Sequence, residues 1–350
     1  MKNMKIEIPQ LSLARLASLW RGEGMENWRI FQPRYPPLAV EVGDGCLHLV
    51  FLERSKDKGK TPILRRYCRV DLPEGSLQTE FSKRNVLRPA EVGQALLQAL
   101  QRESIETREI SIVLPDHLAR TSLLHMGERP ARKEEVLEVI RWKLRKSVPF
   151  KVEDAHIDYQ MFPSPSDSDS HLCQAVLMLR SVRDSYEDLM TELGFHAGLM
   201  DLSTFNLANL YRPVLERAEE DAFLLNVTGK FFALLILRQG VPIFYRAKSY
   251  AFADHADSRR ATVIREVDAS LTYYAERLGG RLPAQIHLRC IDMDLNTLQE
   301  ELAQRLEGPV LPVDPTQVVE VVPRSDDAEE QRDLMQLIAP ALGAALGRQG

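Results

Sequence analysis

The hydrophobic positions of this chain repeat one order of elements twice. Residues 39–50 and residues 223–236 each contain an apolar run, a short turn with glycine, and a second apolar run. Two apolar runs joined by such a turn are typical of a β-hairpin. Each hairpin is followed by further strand-like runs and by amphipathic helices. The pattern therefore predicts an α/β protein built from two similar halves.

A block with a different pattern lies between the two halves. It contains a strand-like run (residues 117–125), a helix with acids at its start and bases at its end (133–148), two more strand-like runs (155–162 and 172–179) and a second helix (182–193). We interpret this block as a small inserted β-α-β-β-α subdomain.

These patterns divide the chain into six segments. They are a leader with an amphipathic helix over residues 10–20 (1–36), the first lobe (37–110), the insertion (111–194), the continued first lobe (195–217), the second lobe (218–324), and an acidic linker with a C-terminal helix (325–350).

The composition excludes several classes of protein. The chain has 350 residues, of which 44% are hydrophobic, and its formal net charge is −5. The hydrophobic fraction is large enough for a sizeable core. The negative net charge predicts no nucleic-acid partner, because such binding requires a basic surface. We expect neither a signal peptide nor a membrane span. The four cysteines are scattered without a CxxC pair, which favours free thiols in a reducing compartment and no metal site.

Short motifs then follow one another in a characteristic order. They are LPD at residues 114–116, IRWK at 140–143, VPF at 148–150, DYQ at 158–160, MDLSTFNL at 200–207 and LGAALG at 342–347. In this order they resemble the type IV pilus assembly protein PilM family, which is related to FtsA. The resemblance covers residues 37–348, with Lys143 at a position where the family carries an acid.

The resemblance implies a fold and a role. The fold is an actin-like (ribonuclease H-like) duplicated two-lobe α/β fold with an inserted subdomain. PilM-like proteins bind the short cytoplasmic tail of PilN, a bitopic inner-membrane protein, in a groove between the first lobe and the insertion. They also link other pilus alignment and motor components. The resemblance thus implies a cytoplasmic scaffold that is peripheral at the inner membrane through its partner, and it leaves a homo-oligomer open.

Three residues of the insertion are candidates for contact with this partner. Arg141 and Trp142 lie within the predicted helix (133–148), and Phe150 comes directly after Pro149, which ends this helix. For Trp142 and Phe150, simple packing within the insertion is the alternative.

The same resemblance implies a nucleotide cleft between the two hairpins. In such a cleft, carboxylates position hydrated Mg²⁺, and small turn residues let backbone N–H groups approach the phosphates. The matching positions are Glu41 and Gly43 in the first hairpin, and Asn226 and Gly229 in the second.

Several groups that this cleft requires are replaced. Asp44 stands where a phosphate-binding hydroxyl is expected, and His48 replaces a permanent cation. Asn226 replaces the metal-positioning Asp, and Thr228 replaces a glycine. Residues 289–294 contain no glycine where a Gly-Gly turn would let the adenosine lie on the backbone. We therefore predict a degenerate cleft with no cofactor and no enzymatic activity. The alternative is a functional Mg-ATP-binding actin-like ATPase of the pilus or of a type II secretion system.

Overall fold

The computed structural model describes residues 35–53, 61–127, 132–164, 167–215, 220–250, 255–281, 285–306 and 308–347. The predicted leader helix over residues 10–20 lies outside these described residues. Within them, no helix is long and apolar enough to cross a bilayer.

Fourteen strands and seven α-helices make up the described part of the chain. The strands are β1 (Leu38–Val42), β2 (Cys46–Glu53), β3 (Ile63–Asp71), β4 (Glu109–Leu114), β5 (Arg120–Met126), β6 (Ala155–Ser164), β7 (Asp167–Leu179), β8 (His196–Leu202), β9 (Ala222–Val227), β10 (Phe231–Arg238), β11 (Val241–Ser249), β12 (Ile286–Cys290), β13 (Val310–Pro312) and β14 (Glu320–Val321). The helices are α1 (Pro89–Arg102), α2 (Lys133–Leu144), α3 (Arg180–Glu192), α4 (Ser203–Leu215), α5 (Ala256–Arg277), α6 (Leu295–Ala303) and α7 (Ala328–Leu346).

Two sheets with the same topology confirm the predicted duplication. In the first lobe the strands lie in the order β14-β3-β2-β1-β4-β8, and in the second lobe in the order β11-β10-β9-β12-β13. In each lobe three antiparallel strands are followed by two parallel ones, apart from the additional β14. Both predicted hairpins are present as β1–β2 and β9–β10. The turn between β10 and β11 falls at Gln239 and Gly240, which both have positive φ, as this hairpin turn type requires.

The insertion forms a third sheet in the order β5-β7-β6, covered on one face by α2. Its apolar cluster includes Val136, Ile140 and Leu144 from the helix, and Cys173 and Ala175 from β7. The helix follows from the spacing of its apolar residues, since positions three and four apart lie on one side of an α-helix.

Three segments lie in another part of the fold than the predicted boundaries suggest. The predicted insertion begins at residue 111, yet β4 lies inside the first-lobe sheet between β1 and β8. Helix α3 packs Tyr186 and Leu189 into the first-lobe core, and its Arg183 also contacts His156 of β6 in the insertion sheet. The predicted second lobe extends to residue 324, but β14 pairs in parallel with β3 of the first lobe. Parallel pairing between distant segments leaves no local sequence signal, which explains the differences for β4 and β14.

Helices α4 and α7 lie side by side between the two sheets. Their apolar side chains belong to one cluster with Val50 and Tyr67 of the first sheet and Leu224 and Leu235 of the second. Gly343 of α7 permits this approach, because a Cβ atom at this position would overlap the carbonyl oxygen of Asn206 in α4. The predicted C-terminal helix is therefore part of the contact between the lobes.

We expect the substitution Gly343→Ala to lower the free energy of unfolding by roughly 1–3 kcal/mol, because the added methyl group forces the two helices apart. Urea denaturation of the two proteins measures this difference. The matched control is Gly127→Ala, since a Cβ at Gly127 meets no atom within 4 Å. The control is expected to be neutral or slightly stabilising, by up to about 1 kcal/mol. An equal effect of both substitutions would contradict the close approach of α4 and α7.

Candidate functional site

The turns of the two hairpins face each other across the interlobe cleft. Lys230 Nζ of the second hairpin lies 3.3 Å from Asp44 Oδ2 of the first, and both side chains are more than half exposed. In the arrangement that the sequence implies, the phosphates of a nucleotide would lie between these turns. Here an acidic and a basic side chain meet in that space.

Below these turns, Arg289 connects both lobes from a completely buried position on β12. The parallel pairing of β12 with β9 places Arg289 directly beside Asn226. Its guanidinium donates to three acceptors on three different elements, namely Glu41 Oε2 at 2.8 Å, Asn226 Oδ1 at 3.1 Å and the Gln336 carbonyl at 2.7 Å. It also donates to the carbonyl of Leu337 in α7 at 3.1 Å.

Glu41 receives a second contact from its own hairpin. His48 lies opposite Glu41 in the β1–β2 pairing, and its Nδ1 is 3.0 Å from Glu41 Oε2. Glu41 and His48 are both buried. The carboxylate therefore lies between a guanidinium and an imidazole and has almost no contact with solvent.

The polar network continues from Asn226 to the start of α4. Asn226 Nδ2 donates to Ser203 Oγ at 2.7 Å and to Thr204 Oγ1 at 3.0 Å. Asp116 in turn accepts from Ser203 Oγ at 3.0 Å and from the Thr204 backbone N–H at 3.1 Å. A carboxylate at this end of a helix is favourable because the first N–H groups are otherwise unpaired.

Asp116 also joins the network to the second lobe. The hydroxyl of Tyr245 in β11 donates to Asp116 Oδ1 at 2.6 Å. Complete burial raises the pKa of the Asp116 carboxyl, and the hydrogen bonds from Tyr245, Ser203 and Thr204 oppose this rise. Burial and the neighbouring Asp116 together raise the pKa of Tyr245 well above its usual value. The last residue of the LPD motif is thus a structural acceptor between the lobes.

The groups that the sequence implies for a hydrated Mg²⁺ and a nucleotide already form hydrogen bonds with other protein groups. Oxygen atoms of Glu41 and Asn226 would face the water shell of the metal. Both already accept hydrogen bonds from Arg289, whose guanidinium places a positive charge beside them. The carbonyl of Gly229 accepts from Arg259 at 2.8 Å, and a Cβ on Gly43 would overlap the Sγ of Cys46. Among the residues that the structure describes, no three His, Cys, Asp or Glu side chains are placed to hold a metal ion.

The structure brings Glu41 and Asn226 together, as the sequence implies, and places Gly43 and Gly229 in the two turns above them. Sequence reasoning missed the roles of Arg289 and Asp116. One signal was present for each of them: a single arginine in a short strand with three apolar residues, and the acid that ends the LPD motif.

A second concave feature lies between the insertion and both lobes. It is a groove of about 610 Å³ whose walls come from β6, β7, β8, α4 and the β10–β11 hairpin, and we call it the interlobe–insertion groove. Asp158 and Gln160 of the DYQ motif line one wall, and Met200, Phe205 and Leu235 line the others. Strands β6 and β8 are each the last strand of their sheet.

None of the three predicted partner-binding residues lines the interlobe–insertion groove. Arg141 and Trp142 lie on α2, which packs on one face of the insertion sheet, whereas Asp158 and Gln160 project from the other face because side chains alternate along β6. Trp142 is 66% exposed. Phe150 packs against Phe81 of the first lobe, with ring centroids 5.4 Å apart.

No protein-family model and no curated protein matches this chain. Its structure is similar to a chain of the PilM–PilN type IV pilus biogenesis complex, with a TM-score of 0.73 and 19% identity, covering 90% of this chain and 98% of that one. It is also similar to the cytoplasmic domain of EpsL, an inner membrane component of the type II secretion system of Vibrio cholerae (TM-score 0.47, 10% identity, 80% of this chain and 91% of that one). A Bacteroides thetaiotaomicron protein with an actin-like ATPase fold gives a TM-score of 0.46 at 11% identity, covering 89% of this chain and 99% of that one.

Of these three similarities, only the first exceeds a TM-score of 0.5, and at 19% identity it establishes the fold. The chain has a PilM-like, actin-like two-lobe fold, as its motifs predict.

Proposed function

We propose that this protein is a PilM-like cytoplasmic scaffold of type IV pilus assembly, which binds the cytoplasmic tail of a PilN-like inner-membrane protein and does not turn over ATP. The observation that carries this proposal is the interlobe–insertion groove, lined by the DYQ motif, in a chain with the fold found in a PilM–PilN complex.

The groove suits an extended peptide segment. Strands β6 and β8 each form an edge of their sheet in the described part of the chain, and an edge strand binds an added segment through main-chain hydrogen bonds. The apolar side chains of Met200, Phe205 and Leu235 provide a surface for an apolar anchor of the peptide. Pockets of about 300–1,000 Å³ accommodate a few side chains, and 610 Å³ lies in this range.

We expect a synthetic peptide of the partner's cytoplasmic tail to bind the full chain, and Ala208→Phe to weaken this binding at least tenfold. Ala208 lines the groove on α4, and the larger ring fills part of the space that the peptide needs. Fluorescence anisotropy with a labelled peptide measures both affinities. An unchanged melting temperature of the variant shows that the fold is retained.

The control for this experiment is Trp142→Ala, on the opposite face of the insertion sheet. Loss of peptide binding in Trp142→Ala with normal binding in Ala208→Phe would assign the tail to α2 and overturn the groove. The prediction that Arg141, Trp142 and Phe150 contact the partner would then be retained. Absence of peptide binding to the unsubstituted chain would count against the proposed function as a whole.

In the interlobe cleft, we propose that Arg289 acts as a permanent cation that joins the lobes in place of a metal–nucleotide complex. Removing one member of a buried ion pair leaves an uncompensated charge, which costs about 3–5 kcal/mol. We therefore expect Arg289→Met to lower the free energy of unfolding by about this amount. Adding Glu41→Gln should recover a large part of it, because the buried charge is then removed as well.

Urea denaturation of the two single variants and the double variant gives the coupling energy between these residues. The matched control is Arg305→Met, whose surface ion pair with Asp268 is half exposed on both sides and contributes less than about 1 kcal/mol. A cost of Arg289→Met no larger than that of this control would contradict the bridging role of Arg289.

For the nucleotide itself, we expect millimolar Mg-ATP to leave the melting temperature of the protein unchanged. A ligand that binds only the native state must raise the unfolding midpoint, since it stabilises by RT ln(1 + [L]/Kd). Differential scanning fluorimetry with Mg-ATP, and with Mg²⁺ alone as the control, measures the effect. A rise of several degrees with Mg-ATP would favour the alternative, a functional actin-like ATPase of the pilus or of a type II secretion system.

A further inference from the structure

The exposed side of α2 carries an apolar aromatic residue that no described residue covers. Trp142 is 66% exposed, the largest exposed fraction among the big hydrophobic side chains of the described residues. It lies two positions from both Ile140 and Leu144, which are buried, and two positions correspond to about 200° around an α-helix. Trp142 therefore points directly away from the insertion core.

Basic residues surround this tryptophan in the sequence. Residues 141–151 contain five Lys or Arg and no Asp or Glu, in a chain whose formal net charge is −5. We call Trp142 and these five cations (Arg141, Lys143, Arg145, Lys146 and Lys151) the Trp142 patch. Four of the five cations are exposed, and Arg141 is partly exposed.

The cations of the Trp142 patch are not neutralised within the described part of the molecule. None of them forms an ion pair with a described residue, whereas Arg132 at the other end of α2 is paired with Glu135 at 2.5 Å. Lys143 donates to the carbonyl oxygen of His125 at 3.4 Å, which leaves its charge unbalanced. The positive charge of the patch is therefore directed to the solvent.

Tertiary packing adds a further cation from the first lobe. The ring of Phe81 stacks on Phe150 at a centroid distance of 5.4 Å and brings the loop after Phe81 to the end of the patch. This loop contains Lys83, which is exposed and forms no ion pair with any described residue. Lys83 is therefore two residues from a ring that contacts Phe150, the residue before Lys151 of the patch.

We propose that the Trp142 patch binds directly to the surface of an anionic lipid bilayer. An exposed Trp with a basic surround is the combination that such an interface favours, since the indole lies at headgroup depth while Lys and Arg attract the anionic headgroups. The patch residues are exposed or partly exposed and line none of the described pockets, whereas single-stranded nucleic acid is bound in basic grooves that track its backbone. This lipid contact is independent of peptide binding in the interlobe–insertion groove.

The direct test uses the fluorescence of Trp142. Trp20 and Trp28 are the only other tryptophans, so the full chain with Trp20→Phe and Trp28→Phe reports on Trp142 alone. Vesicles of phosphatidylcholine with 30% phosphatidylglycerol should shift its emission to shorter wavelength, and brominated lipid should quench it. Pure phosphatidylcholine vesicles should have little effect at low salt. Absence of a shift with anionic vesicles would overturn the proposal.

Charge variants provide a second measurement in the natural chain, by co-sedimentation with the same vesicles. Each basic side chain near an anionic surface contributes about fivefold in binding, so Arg145→Gln with Lys146→Gln should weaken partitioning roughly 30-fold. The matched control is Arg265→Gln with Arg277→Gln, which removes the same charge from exposed positions on α5. Equal partitioning of both double variants would show that the patch is not the lipid contact.

Two competing partners are distinguished in the same series. In one outcome, single-stranded DNA binds the chain as tightly as anionic vesicles do, and the Arg145→Gln, Lys146→Gln variant loses this binding. This outcome would reassign the patch to nucleic acid. Loss of tail-peptide binding in that variant, with vesicle binding retained, would reassign it to the protein partner. If the unsubstituted chain binds anionic vesicles but not the tail peptide, the proposed function is contradicted and the lipid contact is retained.

Discussion

The guanidinium of Arg289 is a completely buried positive charge. The groups that must pair with it constrain the positions of the elements that carry them. A buried charge is stable only when it is paired and its donors are satisfied. Glu41 supplies the charge from the first lobe, Asn226 supplies an acceptor from the neighbouring strand, and the carbonyl groups of Gln336 and Leu337 supply two more from α7. Because these partners belong to both lobes and to the helix between them, one side chain sets the relative position of all three.

The remaining polar contacts of the cleft extend this constraint to the insertion. Asn226 connects to the first residues of α4, and these residues connect to Asp116, where the insertion leaves the first lobe. Tyr245 then links Asp116 to the second lobe. Groups that would contact a metal or a nucleotide in an actin-like cleft are here satisfied by one another. In the described structure, the polar contact between the lobes is therefore made by the protein's own side chains.

The insertion sheet separates two surfaces of different character. Side chains alternate along β6, so Asp158 and Gln160 face the interlobe–insertion groove while Ile157 and Met161 pack towards α2. The groove side is concave and bordered by the edge strands β6 and β8, which suits an extended peptide. The α2 side is basic and carries the exposed Trp142, which suits an anionic surface. We propose the first surface for a membrane protein's tail and the second for the bilayer.

The sequence by itself determined the local elements and their duplication. Hairpin turns with glycine and the periodicity of the helices are local signals, and they predicted both hairpins and the α/β class. Element ends were less predictable. The C-terminal segment is expected to begin with an acidic linker, but its helix already begins at Ala328, because Asp327 caps a first turn whose residues are polar.

Only the tertiary structure decided how these elements meet. The pairing of β14 with β3, the place of β4 in the first-lobe sheet, and the contact between Arg289 and Glu41, 248 positions apart, all depend on which surfaces pack together. The sequence pointed to Glu41 and Asn226, yet the identity of the group between them could not be deduced, since an arginine in a short, mostly apolar strand has no local partner. Local propensity acts over a few residues, whereas the cleft and the groove each combine residues from distant segments.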